Sequence, residues 1–159
     1  MATIVEDLLS NRDTLLPWFT RDDLGRSYAP GKWTGHELLI HLADAEVVLL
    51  DRVRRLAADR KPLLWAFDQD DWVVALDYKR RSLATAATLF SATRNAIIEL
   101  AEGFDSTALA RGGVHSERGR MTLADALTGV VKHNRHHLGQ IQAIAEGRTW
   151  DPSQAIRYG

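Results

Sequence analysis

Apolar residues recur along this chain in four long blocks, each with the period of an α-helix. Apolar positions spaced three or four apart are typical of amphipathic helices, and no stretch alternates residue by residue for long enough to predict a sheet. We therefore predict an all-α fold with helices over approximately residues 3–19, 34–59, 78–102 and 123–147. Each predicted helix is long enough to turn an apolar stripe of several turns toward a common core.

Polar residues and glycines at the block boundaries support these helix ends. Thr34 and Glu37 have the spacing of a capping box, in which each side chain accepts a hydrogen bond from the other residue's backbone N–H. Thr122 is suited to cap the last helix in the same position. Gly103 follows the third block and is suited to a left-handed C-cap, and the fourth block ends at Gly147.

Four helices of this length favour a four-helix bundle that forms a single domain over residues 1–159. The second and third connections are long. The sequence RGGVHSERGR, residues 111–120, is polar and glycine-rich, so we predict a loop there. Residues 61–77 are instead expected to pack over one end of the bundle, because they carry three large aromatic side chains, Trp65, Phe67 and Trp72.

The composition removes several function classes. Twenty basic and 21 acidic residues give a formal charge of −1, so the charge offers no reason to expect nucleic acid or an anionic membrane as a partner. Cysteine is absent, so a bound metal ion would need nitrogen and oxygen ligands. Charged residues interrupt every apolar run before it reaches the length of a membrane span. The first residues also lack the basic segment followed by an apolar segment that is typical of a signal peptide. We expect a cytoplasmic protein.

Three histidines stand close together in HNRHHLGQI, residues 133–141. At roughly 100° per residue, His133 and His137 lie one turn apart and lean toward a neighbouring helix, whereas His136 points to solvent. On the second helix, His41 lies at a similar flank of the apolar stripe. If these two helices are neighbours, His41, His133 and His137 converge on a metal ion; the alternative is that His41 and His133 make only local hydrogen bonds.

Four segments of the chain resemble successive motifs of the DinB-like superfamily: GKWTGHELLIHLADAEVVLLDRV, FDQDDWV, GVHSERGRMTLADAL and HNRHHLGQI. The resemblance covers about residues 31–145 and implies a four-helix bundle. Proteins of this kind bind a divalent metal through one histidine of the second helix and two of the last, which correspond here to His41, His133 and His137. Relatives often have glutamate where this chain has Asn134.

The resemblance and the ligand set together predict a metal-dependent enzyme. Three neutral imidazoles leave coordination positions open for water or for a substrate thiolate, and an open site is typical of catalysis. The expected reaction is either a thiol-dependent S-transfer or a hydrolysis, and in both cases the substrate is a small molecule. For the transferase, one of the substrates would be a low-molecular-weight thiol. Zinc or nickel suits imidazole best. The alternative is a non-enzymatic, stress-associated protein that binds a metal or a ligand; no catalytic side chain is assigned.

Several other polar residues face the predicted site or the bundle interior. We expect Asp44 to lie on a solvated face and Glu46 to pair with a basic group inside the bundle. Gln140, two turns after His133, could orient a ligand or cap a neighbouring backbone group.

Arg52 lies on the same side of the second helix as His41. It could grip a substrate carboxylate or phosphate, but we favour an ion pair with Asp70 or Asp71 that ties the second connection to the bundle.

We also expect a homodimer with two-fold symmetry. On the second helix, aliphatic side chains interrupt an outward face where polar ones are expected. That predicted interface contains Ile40, Val47 and Arg54.

Overall fold

The computed structural model describes residues 3–151 and 153. Within them, six α-helices and a small sheet are ordered along the chain as follows: α1 Ile4–Leu15, α2 Gly35–Ala58, β1 Leu63–Leu64, α3 Gln69–Ala75, α4 Leu83–Glu102, α5 Ser106–Leu109, β2 Gly112–His115, β3 Gly119–Thr122 and α6 Leu123–Glu146. Helix α1 contacts α4 and α6, and α2 contacts the same two helices. The four long helices therefore form a bundle in the order α1, α4, α2, α6, as the all-α prediction required.

Two helices are shorter than the periodicity predicted. Helix α1 ends at Leu15 and continues as a 3-10 turn over Leu16–Thr20, because Pro17 removes a backbone donor. Helix α4 begins at Leu83 instead of Tyr78, after Ser82 has accepted a hydrogen bond from the backbone of Thr85.

The predicted helix caps are confirmed except one. Thr34 and Thr122 each form a capping box, and Gly147 adopts a left-handed conformation with φ of 68°. The prediction for Gly103 is wrong: its φ is −90°, because the chain leaves α4 through a right-handed turn that any residue could make.

The predicted loop at residues 111–120 is wrong, because it forms a β-hairpin. Strands β2 and β3 pair antiparallel, and β1 pairs parallel with β2. Gly119 has φ of 72° and supplies the left-handed residue that closes the three-residue turn. The strands are only two and four residues long, too short for a visible alternation of apolar and polar positions.

Of the three aromatic residues in the second connection, residues 61–77, two are packed as predicted. Trp72 packs against the apolar core, and its ring centroid lies 4.5 Å from that of Phe67. Trp65 is 73% exposed, so its expected packing is wrong. Its backbone carbonyl instead accepts a hydrogen bond from Arg52, which leaves the indole ring outside.

A layer of polar side chains divides the core into two apolar clusters, one toward each end of the bundle. Each long helix contributes one buried member: Asn11, Glu46, Arg94 and Asn134. Arg94 and Glu46 form an ion pair with 2.7 Å between Arg94 Nε and Glu46 Oε1, and both side chains are fully buried. This layer meets the predicted histidine site at Asn134.

The outer face proposed for dimer formation is only partly exposed. Val47 is 44% exposed, but Ile40 is fully buried, because the second connection and α4 cover that end of α2. The predicted three-residue interface is therefore wrong in its composition. In the part of the chain that is described, no helix has the length and apolar character needed to cross a membrane.

Candidate metal centre

Helices α2 and α6 are neighbours, which was the condition for the three predicted histidines to meet. His41 lies in the second turn of α2, whereas His133 and His137 lie one turn apart in the middle of α6. Because rigid helices carry all three side chains, their relative positions are set by the packing of the bundle.

The structure brings His41, His133 and His137 together. Their ring centroids are 4.6 to 5.1 Å apart, and one ring nitrogen from each lies within 4.8 Å of the others. His41 is fully buried, His137 is 7% exposed and His133 is half-buried. Over residues 3–151 and 153, no other trio of histidine, aspartate or glutamate side chains is close enough to hold one ion.

Two of these rings are oriented by side-chain amides of the same helix. His133 Nδ1 lies 3.2 Å from Asn134 Oδ1, and His137 Nδ1 lies 2.7 Å from Gln140 Oε1. An amide oxygen only accepts, so in both rings Nδ1 carries the proton and Nε2 keeps its lone pair. Both Nε2 atoms are therefore available to a metal ion. Of the two roles that the sequence left open for Gln140, the contact with His137 is the one that the structure contains.

His41 is held differently. Its Nε2 lies 3.0 Å from His133 Nε2, and since the latter has a lone pair, His41 donates across this contact. Its Nδ1 is buried and has no hydrogen-bond partner among the described residues. The ring instead packs beside Trp33, with 5.1 Å between ring centroids. For His41 to hold a cation through Nε2 as a neutral imidazole, its proton would have to move to Nδ1.

The electrostatic environment keeps the three imidazoles neutral. Burial and then the nearby His137 together lower the pKa of His41 to about 3. Burial and then the proximity of His41 lower the pKa of His133 to about 3. The pKa of His137 also lies well below its ordinary value, chiefly because of burial. Neutral imidazole is the form that binds metal, so protons compete weakly with a cation at neutral pH.

A cavity of about 300 Å³ opens beside His137 and Gln140. Its remaining lining combines aromatic, amide and charged side chains: Tyr28, Lys32, Trp33, Leu38, Gln69 and Asp70, with the backbone of Gly31. A second cavity of about 400 Å³ shares Trp33, Gln69 and Asp70 with the first. The space is suited to a small molecule with polar groups at more than one position.

The remaining predicted residues fall in other places. His136 is exposed as predicted, and its ring packs against those of His137 and Trp150. Glu46 pairs with a basic group inside the bundle, as expected, and that group is Arg94.

Two predictions about charged residues are wrong. Asp44 is 8% exposed and binds Arg81 through both carboxylate oxygens, because the turn before α4 brings that arginine over α2. Arg52 forms no ion pair or hydrogen bond with Asp70 or Asp71: its Nη2 donates to the carbonyl of Trp65 at 2.9 Å.

Sequence reasoning missed Arg94, Trp33 and Tyr28. Arg94 could have been found, because it lies four residues after Phe90 and four before Ile98 on the apolar stripe of α4. An arginine in that position signals a buried acidic partner. Trp33 and Tyr28 precede α2 in a segment without periodicity, which gave no sign that they approach the histidines.

Three neutral imidazoles that converge from two rigid helices form a donor set suited to a divalent borderline cation. The two ordered Nδ1–H tautomers and the low pKa values meet the requirements of such a site. The residues present therefore fit a divalent metal ion.

Comparison with known proteins supplies a family. A sequence model described as the DinB superfamily matches residues 7–141. Two proteins of Oceanobacillus iheyensis, each named a "putative metal-dependent hydrolase", are 25% and 23% identical to this chain. The alignments cover 76% and 92% of this chain and 69% and 84% of those relatives.

A solved structure from Bacillus subtilis also matches. It is described as YfiT, "a probable metal-dependent hydrolase with an unusual four-helix bundle topology". The two structures superpose with a TM-score of 0.82 at 22% identity, over 90% of this chain and 84% of that one. This likeness confirms the four-helix bundle.

Proposed function

The chain belongs to the DinB superfamily, and from that premise we propose that it is a metal-dependent hydrolase of a small molecule. His41, His133 and His137 would hold the divalent metal ion. The observation that carries the proposal is the convergence of three neutral imidazoles, two buried and one half-buried, beside a cavity. The names of the Oceanobacillus relatives support the same reaction class.

The ligand set supports a catalytic site over a structural one. Structural zinc sites are closed by four protein ligands, and no carboxylate or fourth histidine joins this cluster within the described residues. When bound at such a site, a divalent ion acts as a Lewis acid and activates water at neutral pH. Zinc and nickel are the ions we propose, because both suit imidazole nitrogen.

The cavity residues would bind and orient the substrate. Lys32 and Asp70 line the space beside His137, so they could pair with an anionic and a cationic group of one small molecule. Trp33 supplies an apolar wall that also contacts His41.

Metal binding is tested by comparing two neighbouring histidines. We expect His137→Ala to abolish stoichiometric zinc binding in a titration monitored by elemental analysis. His136→Ala is the matched control and should retain nearly one ion per chain, because His136 is exposed and is not one of the three converging histidines, although its ring packs against that of His137. The reverse order would contradict the ligand assignment.

A thiol-dependent S-transferase is the competing activity, since thiolate sulfur is a strong ligand for borderline cations and this chain has no cysteine to compete. We would assay the zinc-loaded protein against a panel of small esters and amides, with and without a low-molecular-weight thiol. Hydrolysis without thiol supports the proposal, and product formation only with thiol supports the transferase. If the absorption spectrum of the cobalt-substituted protein does not change with thiols, carboxylates or phosphate, that result would contradict both the hydrolase and the transferase and favour a non-enzymatic metal-binding protein.

We also propose a homodimer, now placed on a revised surface. The surface we propose contains exposed aliphatic side chains on α2, on α3 and just after it: Val47, Val74 and Leu76. Sedimentation should give twice the 17.8 kDa mass of one chain at micromolar concentration. Val74→Lys should shift that equilibrium toward monomer, and a monomeric parent protein would refute the proposal.

A further inference from the structure

The polar layer of the bundle ends at a proposed metal ligand. Glu46 and Arg94 form its buried ion pair, and Asn134 lies between that pair and His133. Asn134 Nδ2 is 3.5 Å from Glu46 Oε2, and Asn134 Oδ1 is 3.2 Å from His133 Nδ1. Four side chains from three helices thus form one continuous series of polar contacts.

The carboxylate decides which way the Asn134 amide faces. An ionised carboxylate only accepts hydrogen bonds, so the amide nitrogen is the end that can face Glu46. The opposite orientation would place two oxygen acceptors together in a buried layer, and it would turn the amide NH2 toward His133. The contact between Asn134 Nδ2 and Glu46 Oε2 is long, at 3.5 Å, but it still places the amide nitrogen toward the carboxylate. The amide oxygen therefore faces the His133 imidazole.

The Arg94–Glu46 ion pair has a clearer role in orienting the Asn134 amide than in stabilising the bundle. A buried pair is often no more stabilising than well-packed apolar side chains of the same volume. Here Arg94 also donates to the backbone carbonyl of Leu8 at 3.1 Å, which fixes the guanidinium, and the guanidinium in turn fixes Glu46. With Oε1 held by Arg94, Glu46 presents its second carboxylate oxygen, Oε2, to Asn134.

We propose that Asn134 is a positioning residue that holds His133 in its Nδ1-protonated tautomer, and that the Arg94–Glu46 pair holds Asn134. The proposal rests on the proposed metal centre for its functional meaning, because only this tautomer presents the His133 Nε2 lone pair to a cation. Gln140 has a comparable role at His137, but its amide faces the Tyr28 hydroxyl at 3.4 Å. A hydroxyl both donates and accepts, so Asn134 is the more strictly oriented amide.

The tautomer is measured without any metal. In chelator-treated protein, long-range ¹H–¹⁵N NMR should find the His133 proton on Nδ1. The Asn134→Leu variant should lose that signature, because leucine offers no acceptor. Asn11→Leu is the matched control: it removes another buried amide from the same layer, but Asn11 has no hydrogen bond to any of the three histidines, so the His133 signal should be unchanged.

Metal affinity gives the second readout. Loss of such an outer contact typically weakens binding about 10- to 100-fold, and we expect that loss of zinc affinity for Asn134→Leu in a competition titration. Asn11→Leu should bind zinc as the parent does. Thermal unfolding of both variants separates a loss of stability from a loss of ligand orientation.

A reversed pair of substitutions tests the polarity of the contacts. In Asn134→Asp combined with Glu46→Gln, the new carboxylate can accept from His133 Nδ1 and from the new amide. The His133 tautomer and the zinc affinity of this double variant should therefore match those of the parent. Asn134→Asp alone places two carboxylates together, so its tautomer and zinc affinity should fall short of the parent values. This double variant also decides the matter if Asn134→Leu fails to fold.

The results separate this proposal from the proposed function. A His133 proton on Nε2 in the parent protein, or an unchanged tautomer in Asn134→Leu, would overturn the positioning role even if zinc binds well. Failure of the double variant to restore the tautomer would do the same. A parent protein with the expected tautomer but no zinc binding would instead refute the metal centre and leave the role of Asn134 in orienting His133 supported.

Discussion

Replacing Arg94 by methionine tests how much the bundle depends on its buried ion pair. Methionine fills much of the volume of the arginine stem but removes the charge. Glu46 would then be a fully buried carboxylate whose remaining contact is the 3.5 Å approach of Asn134. The backbone carbonyl of Leu8 would also lose its bond from the guanidinium.

The expected loss is the sum of two effects. Removing one partner of a buried pair typically costs about 3–5 kcal/mol, because the other charge is left uncompensated. The bond to Leu8 adds about 0.5–1.5 kcal/mol. A total of about 3.5–6.5 kcal/mol is a large part of the roughly 5–15 kcal/mol that stabilises an ordinary domain. For a chain of this size, it lowers the midpoint of thermal unfolding by about 7–26 °C.

Urea unfolding of the metal-free protein, followed by circular dichroism, measures the change in free energy. The control is the double variant Arg94→Met with Glu46→Leu, which removes both charges and should recover at least half of the loss. A single variant that loses less than about 1 kcal/mol would refute the view that this pair is dry and tightly coupled. A double variant no better than the single one would show that the loss comes from packing.

Two further predictions concern acid and the sheet. The histidines of the unfolded chain bind protons near pH 6.5, whereas His41 and His133 of the folded protein have pKa values of about 3. The metal-free protein should therefore be most stable above pH 6.5. Its free energy of unfolding should fall by up to about 1.4 kcal/mol per histidine for each pH unit below that. Urea midpoints that stay level from pH 7.5 to 5 would contradict this. Gly113→Ala should cost about 1–3 kcal/mol, since an added Cβ would lie 2.7 Å from the carbonyl oxygen of Pro62 and separate β1 from β2. Its control, Gly129→Ala, meets open space in a helix and should gain about 0.5–1 kcal/mol by thermal unfolding.

The bundle could be predicted because each long helix carries its own local signals. The apolar period predicted the four helices, and the capping box at Thr34 and the N-cap at Thr122 predicted the starts of α2 and α6 within a residue. The histidine trio followed from the angular positions of side chains on these two helices. Such features depend on residues close together in sequence, so they can be read before any tertiary contact is known.

The sheet, the Asp44 ion pair and the role of Arg52 could not be predicted in the same way. Strand β1 pairs with β2 across about 50 residues of chain, and neither has enough residues to show a pattern. Asp44 is buried only because Arg81 arrives from another element. Arg52 binds a backbone carbonyl, which no side-chain pattern reveals.

The division between helices and connections bears on how the site would acquire specificity. The three histidines and their amide partners lie on α2 and α6, where packing fixes them. The side chains that line the cavity beside them come largely from the segments before α2 and at the start of α3, such as Lys32 and Asp70. Connections accept substitution more readily than packed helices. The same ligand set could thus serve different substrates in other members of the superfamily, while changes at residues 28–33 and 66–70 alter what the cavity admits.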